Sequence, residues 1–287
     1  MSQAFDDLVS IVSRLRGPDG CPWDQKQTHE SLKPYLIEEA YEVMEALDRN
    51  DSNQLRQELG DLLLQILLHA EIEEELHNFS IGQVLTTLSQ KLKRRHPHVF
   101  DSNRVTEQTL NAEQVLNQWE KIKQAERLEK GKTDSMLDGV PASLPALLRA
   151  YQVQKRAARV GFDWNKPEQV IDKLDEEIQE LREAANHHEN EKSLLSKKQE
   201  NATFHTIEHE FGDVLFTIAN LARFLTINPE EALRKSCNRF IHRFVNMEQQ
   251  AAAAGKDLQQ LTPKEWDDFW ETAKTHEQAT AKPRSSL

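Results

Sequence analysis

Hydrophobic positions recur at helical spacing along almost the whole chain. The pattern runs over residues 4–16, 31–48, 53–77, 80–95 and 111–128, then over 144–159, 167–187, 203–225, 229–252 and 263–277. The polar stretch from Asn186 to Thr203 reads as a long hairpin connection. Between the fifth and sixth segments, Gly131-Lys132-Thr133-Asp134 and Gly139-Val140-Pro141 place chain breakers with no apolar period. The pattern predicts an all-α fold in two parts: a domain over 1–130, a linker over 131–143, a second domain over 144–278 and a disordered tail over 279–287.

The two parts carry the same polar groups in the same order. The first reads Glu38-Glu39-x-x-Glu42, Glu58-x-x-Asp61, Lys91-x-x-x-Arg95 and Trp119-x-x-x-Lys123. The second reads Glu176-Glu177-x-x-Glu180, Glu210-x-x-Asp213, Arg239-x-x-x-Arg243 and Trp270-x-x-x-Lys274. Such a register predicts a tandem duplication.

On a helix, Glu39 and Glu42 stand about 60° apart and point away from a stripe of Ile37, Ala40, Met44 and Leu47, which predicts a core-facing side opposite the acids. Glu58 and Asp61 border a second stripe, Leu59, Leu62 and Ile66. A short turn between these helices makes them antiparallel neighbours, so Glu39, Glu42, Glu58 and Asp61 can converge. Four close carboxylates repel unless they are protonated, paired or filled by cations, and hard oxygen ligands suit Mg²⁺, with Mn²⁺ as a substitute. The same logic applies to Glu177, Glu180, Glu210 and Asp213. The segment from Leu59 to Leu68 is apolar nearly all round, which predicts cover from a second copy in a homodimer.

Composition narrows the partners. With 48 acidic against 36 basic side chains and a net charge of −12, no broad basic face for nucleic acid is expected. A nucleoside triphosphate is also an anion, and beside four carboxylates it requires divalent ions and cationic side chains. Arg239 with Arg243, and Trp270 with Lys274, supply cations and an aromatic surface, and Lys173 lies one turn before Glu177. Cys21 and Cys237 form neither a disulfide framework nor a zinc spacing, and the N-terminus lacks the features of a signal peptide. No apolar run is long enough for a membrane helix, so a cytoplasmic protein with no membrane partner is expected. A di-iron bundle would need two Glu-x-x-His motifs, and Glu74-x-x-His77 stands outside the repeat.

These acidic pairs resemble the MazG family of nucleoside triphosphate pyrophosphohydrolases. So do the segments Arg16-Gly17-Pro18-Asp19-Gly20-Cys21-Pro22-Trp23-Asp24-Gln25 and Arg94-Arg95-His96-Pro97-His98-Val99-Phe100. The likeness runs from residue 1 to about 277. It implies tandem MazG-like helical bundles of the all-α NTP pyrophosphohydrolase fold, dimeric, with the C-terminal half carrying most activity. The implied reaction turns an NTP and water into NMP and pyrophosphate, in nucleotide-pool house-cleaning, by attack of a metal-activated water on the α-phosphate. On matching positions Glu177, Glu180, Glu210 and Asp213 would hold Mg²⁺, with Glu176 a possible proton acceptor. Lys173, Arg239, Arg243, Trp270 and Lys274 would hold the nucleotide, and Glu39, Glu42, Glu58 and Asp61 form a second possible metal site. The long 186–203 segment departs from the shorter connection usual in the family. The alternative is a helical regulatory or interaction module that binds a metal-nucleotide without hydrolysing it.

Overall fold

Residues 3–100, 111–129, 135–191 and 197–280 are described by a computed structural model, and no strand occurs among them. Contacts divide the chain into two compact units, Met1–Lys132 and Thr133–Leu287.

The first unit comprises α1 (Gln3–Arg16), α2 (Pro22–Gln25), α3 (His29–Arg49), α4 (Ser52–Glu75), α5 (Ile81–Arg95), α6 (Pro97–Phe100) and α7 (Ala112–Glu129). Helix α4 is central: α1, α3 and α5 all pack on it. Helix α3 starts at a capping box between Thr28 and Ser31 and stops at Asn50, which takes the left-handed conformation (φ 52°). Asp51 then caps α4 by accepting from the backbone N–H of Asn53 and Gln54. This tight reversal sets α3 and α4 antiparallel. At the far end of the hairpin, His29 Nδ1 lies 2.7 Å from His69 Nδ1, and His29 Nε2 lies 2.8 Å from Glu73 Oε1. The core gathers there as Val12, Leu32, Leu67, Leu68, Ile72 and Ile81.

The second unit comprises α8 (Ala146–Arg159), α9 (Pro167–Glu191), α10 (Lys197–Phe224), α11 (Pro229–Ala253) and α12 (Pro263–Thr280). Helices α9 and α10 form the counterpart hairpin, α8 lies against α10 and α11, and α12 packs on α11. Val170, Val214, Ala219, Ala222, Met247, Ala251 and Ala273 are its buried apolar residues.

Several expectations change. The 186–203 segment is mostly helical: α9 continues to Glu191 and α10 begins at Lys197, leaving only 192–196 outside the described residues. It contains no Gly or Pro and carries three Glu and three Lys, so helix propensity persists where the apolar period fades. The short helices α2 and α6 each begin at a proline and carry no apolar period. Residues 137–139 of the expected linker attach to the second unit, where their carbonyls accept from the Arg156 guanidinium. Residues 130–134 and 281–287, on which the rest of the linker and most of the tail fall, lie outside the described residues. The α3 stripe is not a core within the chain: Ile37 is 58% exposed and Leu47 54%, and on α4 Leu59 is 50% exposed. The main buried cluster lies instead toward the His29–His69 end, with Ala46 buried near the turn.

Candidate active site

The hairpin of the first unit brings Glu39, Glu58 and Asp61 together, with carboxylate oxygens of all three within 4.8 Å of one another. Glu42 joins them through a hydrogen bond with Glu58. Loss of hydration raises the pKa of Glu39, with the charge of Asp61 adding to it. Glu42 is raised by loss of hydration and then by the shared hydrogen bond with Glu58. The position that Lys173 takes in the second unit is filled here by Tyr35, against which Trp23 packs edge-on at 6.0 Å.

In the second unit, oxygens of Glu177, Glu180 and Glu210 lie within 4.8 Å of one another, and a second overlapping group joins His209, Glu210 and Asp213. Glu177 is buried and Glu180 exposed. Loss of hydration and the charge of Glu177 push the Glu180 carboxyl above its ordinary pKa. Lys173 Nζ reaches Glu176 Oε1 at 2.7 Å and Glu177 Oε1 at 2.8 Å, and these hydrogen bonds hold the amine protonated well above the usual lysine range. Glu176 is exposed and engaged by that lysine. The three carboxylates Glu177, Glu180 and Glu210 offer oxygen donors that fit a hard divalent cation such as Mg²⁺ or Mn²⁺.

The remaining cations form a cluster of their own on α11 and α12. Arg243 lies over the Trp270 ring at 5.5 Å and donates to Glu277 Oε2 at 2.7 Å, while Lys274 stands 6.0 Å from the same ring and 2.6 Å from Glu271 Oε1. Arg239 is exposed one turn before Arg243. None of the described contacts ties these residues to Glu177, Glu180, Glu210 or Asp213. In the first unit, Arg95 pairs with Glu126 at 2.6 Å and His96 packs edge-on against Trp119 at 4.8 Å. Glu126 and Glu277, each three positions after the repeated lysine, are thus a further repeated element that the motif reading omitted. Their recurrence was the signal that could have found them.

A cavity of about 620 Å³ opens beside the acidic set, and its lining includes Lys173, Glu177 and Asp213 together with Gln154, Trp164 and Phe216. Arg223 on α10 pairs with Asp163 at 2.9 Å and anchors the loop that carries Trp164. Sequence reasoning passed over this loop and His209. The signal for the loop is Gly161-x-x-Trp164, which repeats Gly20-x-x-Trp23. His209 Nδ1 lies 3.0 Å from Asp213 Oδ2, and has Gln57 at the corresponding place in the first half.

The carboxylate hairpins fall within both matches to the sequence profile described as the MazG nucleotide pyrophosphohydrolase domain, over residues 27–100 and 165–247. The chain belongs to the MazG family. Among relatives, the nucleoside triphosphate pyrophosphohydrolase/pyrophosphatase MazG of Thermotoga maritima is 45% identical over 271 residues, covering 94% of this chain and 95% of that protein. The nucleoside triphosphate pyrophosphohydrolase of Escherichia coli K12 is 40% identical over 274 residues, covering 95% and 98%. A crystal structure of a mazG-related protein from Thermotoga maritima is similar at 29% identity, with a TM-score of 0.35, over 41% of this chain and 97% of that one. The chain therefore carries two MazG domains, both all-α, each supplying the paired acidic motifs from one helical hairpin.

Proposed function

We propose that this MazG protein hydrolyses a nucleoside triphosphate to the monophosphate and pyrophosphate, and that the C-terminal unit does the work. The observation that carries the assignment to that unit is Lys173: it places a cation against Glu177 in the lining of the cavity, where the first unit has Tyr35. Glu177, Glu180, Glu210 and Asp213 would hold Mg²⁺ or Mn²⁺. Bound there, the ion would supply Lewis-acid chemistry at the phosphates.

The chain's own groups bind and orient the substrate. Lys173 offsets phosphate charge at the acidic set, and the Arg239, Arg243, Trp270 and Lys274 cluster offers further cations to the same polyanion. Ion pairs with Glu271 and Glu277 hold two of those cations in place. Glu176 is available to take a proton once Lys173 turns to phosphate. The acidic set Glu39, Glu42, Glu58 and Asp61 serves the first unit as a metal site that stabilises the fold.

A homodimer belongs to this reading. Support comes from the exposed apolar residues of the acidic hairpins, Ile37, Leu47 and Leu59 in one unit and Phe211, Leu215 and Ile218 in the other, which a second copy would cover. No described helix is long and apolar enough to cross a membrane, and we place the protein in the cytoplasm. Separation of products from an NTP incubated with Mg²⁺ tests the reaction. NMP with pyrophosphate is expected; NDP with phosphate, or no turnover, would favour a different activity or a module that only binds.

A further inference from the structure

Two imidazoles meet at the end of the first unit's hairpin away from its turn. The rings of His29 and His69 are within 9° of parallel with centroids 5.0 Å apart, yet Nδ1 faces Nδ1 at 2.7 Å, so they lie edge to edge and not face over face. Glu73 Oε1 lies 2.8 Å from His29 Nε2, and its Oε2 accepts from Asn78 Nδ2 at 2.8 Å. The array joins the first residue of α3, the last turns of α4 and the segment leading into α5. A divalent ion does not fit between the facing nitrogens, since two in-line bonds to nitrogen need about 4 Å. A proton does.

A carboxylate only accepts, so His29 meets Glu73 with its Nε2–H, and one ring proton bridges the two Nδ1 atoms. The pair can hold one further proton, with Glu73 opposite its charge. The next one puts hydrogen on both facing nitrogens, and the bridge is lost. His69 Nε2, on the other side of its ring, is buried with no partner. Burial, and then the charge of His29, hold His69 below its ordinary value of 6.5. Bonds from Asn78 and His29 keep Glu73 below the usual carboxylate range, so it stays ionised near that pH. Other charges around the array are engaged or turned away. On α3, Glu30 and Lys33 pair with each other; on α1, Arg16 pairs with Glu75 while Asp6, Asp7 and Arg14 are exposed. Glu71 and Glu74 lie beside Val9 and Ile81, toward α1 and α5, and α5 has no charge before Lys91. The second unit lacks the array: counted from the repeated carboxylates, Pro167, Leu221 and Leu225 stand at the matching positions.

We propose that Glu73, His29 and His69 form a proton-operated clasp on the first unit, closed while the pair holds at most one extra proton and released by the second. The opened clasp takes up a proton at a pH where the closed one does not, so opening gains as pH falls through 6.5. Hydrogen exchange of the full chain, read by mass spectrometry at pH 7.5 and 5.5 and corrected for the intrinsic pH dependence of exchange, tests this. Segments 28–36 and 66–80 should exchange roughly three- to tenfold faster at pH 5.5, the most that one proton supplies one pH unit below 6.5. Segment 167–180 of the second unit should change by less than about twofold. His69→Leu, which places at 69 the residue type found at Leu221, should bring the first-unit change below about twofold as well. An equal change in both units, no change in the unaltered protein, or a change that persists in His69→Leu overturns the proposal. Histidine-labelled NMR of the unaltered chain needs no variant to fold. Two imidazoles should respond together, with one step well below pH 6.5; eleven histidines titrating independently around 6.5 would equally refute the clasp.

Discussion

Glu126 shows how a single side chain can tie a motif together and escape a motif reading. It accepts from Arg94 and Arg95 together, and those bonds, Arg95 first, pull its pKa from 4.5 to about 2. A carboxyl held lower in the folded than in the unfolded chain stabilises fully above pH 4.5, and the contribution fades as pH falls from there toward 2. Glu126→Gln should cost about 1–3 kcal/mol at neutral pH. Urea unfolding should show the gap from the unaltered protein closing as the solution is acidified through that window; a gap independent of pH would contradict it. The repeated carboxylates were legible because helix geometry alone puts positions three apart on one face. Glu126 and Gln154 were not, because their partners are Arg94, Arg95 and the Phe216 carbonyl, which only the tertiary fold brings near.

At the level of elements, the order and most bounds of the helices follow from apolar spacing. What spacing could not show was how the acidic hairpin turns. In the first unit the reversal depends on Asn50 in the left-handed conformation and on Asp51 capping α4. Asp51→Ala should cost about 1 kcal/mol, read as a lower urea midpoint with helix content retained, and an unchanged midpoint would deny the cap its role. In the second unit α9 runs on to Glu191 and α10 starts at Lys197, because the polar residues on either side of 192–196 keep helix propensity where the apolar period fades. The candidate site was legible where its groups lie on one hairpin. Where the α11–α12 cation cluster lies relative to that hairpin was not legible, since it depends on how distant helices assemble.

For the whole molecule, the sequence reading placed apolar stripes in a core, yet Ile37, Leu47 and Leu59 stand open in the single chain. Periodicity reports that a face needs cover without saying which chain provides it. Sedimentation at micromolar concentration should give a dimer of the 33.2 kDa chain, and a monomer would remove the proposed cover. The proposed reaction places turnover at the C-terminal carboxylates. It is tested most directly by pyrophosphate release from an NTP with Mg²⁺, comparing the unaltered chain with Glu210→Gln and with its first-unit counterpart Glu58→Gln. A loss of roughly a hundredfold or more is expected for Glu210→Gln, with helix content unchanged by circular dichroism, and a far smaller effect for Glu58→Gln. Full activity in Glu210→Gln, or the larger loss in Glu58→Gln, would contradict it.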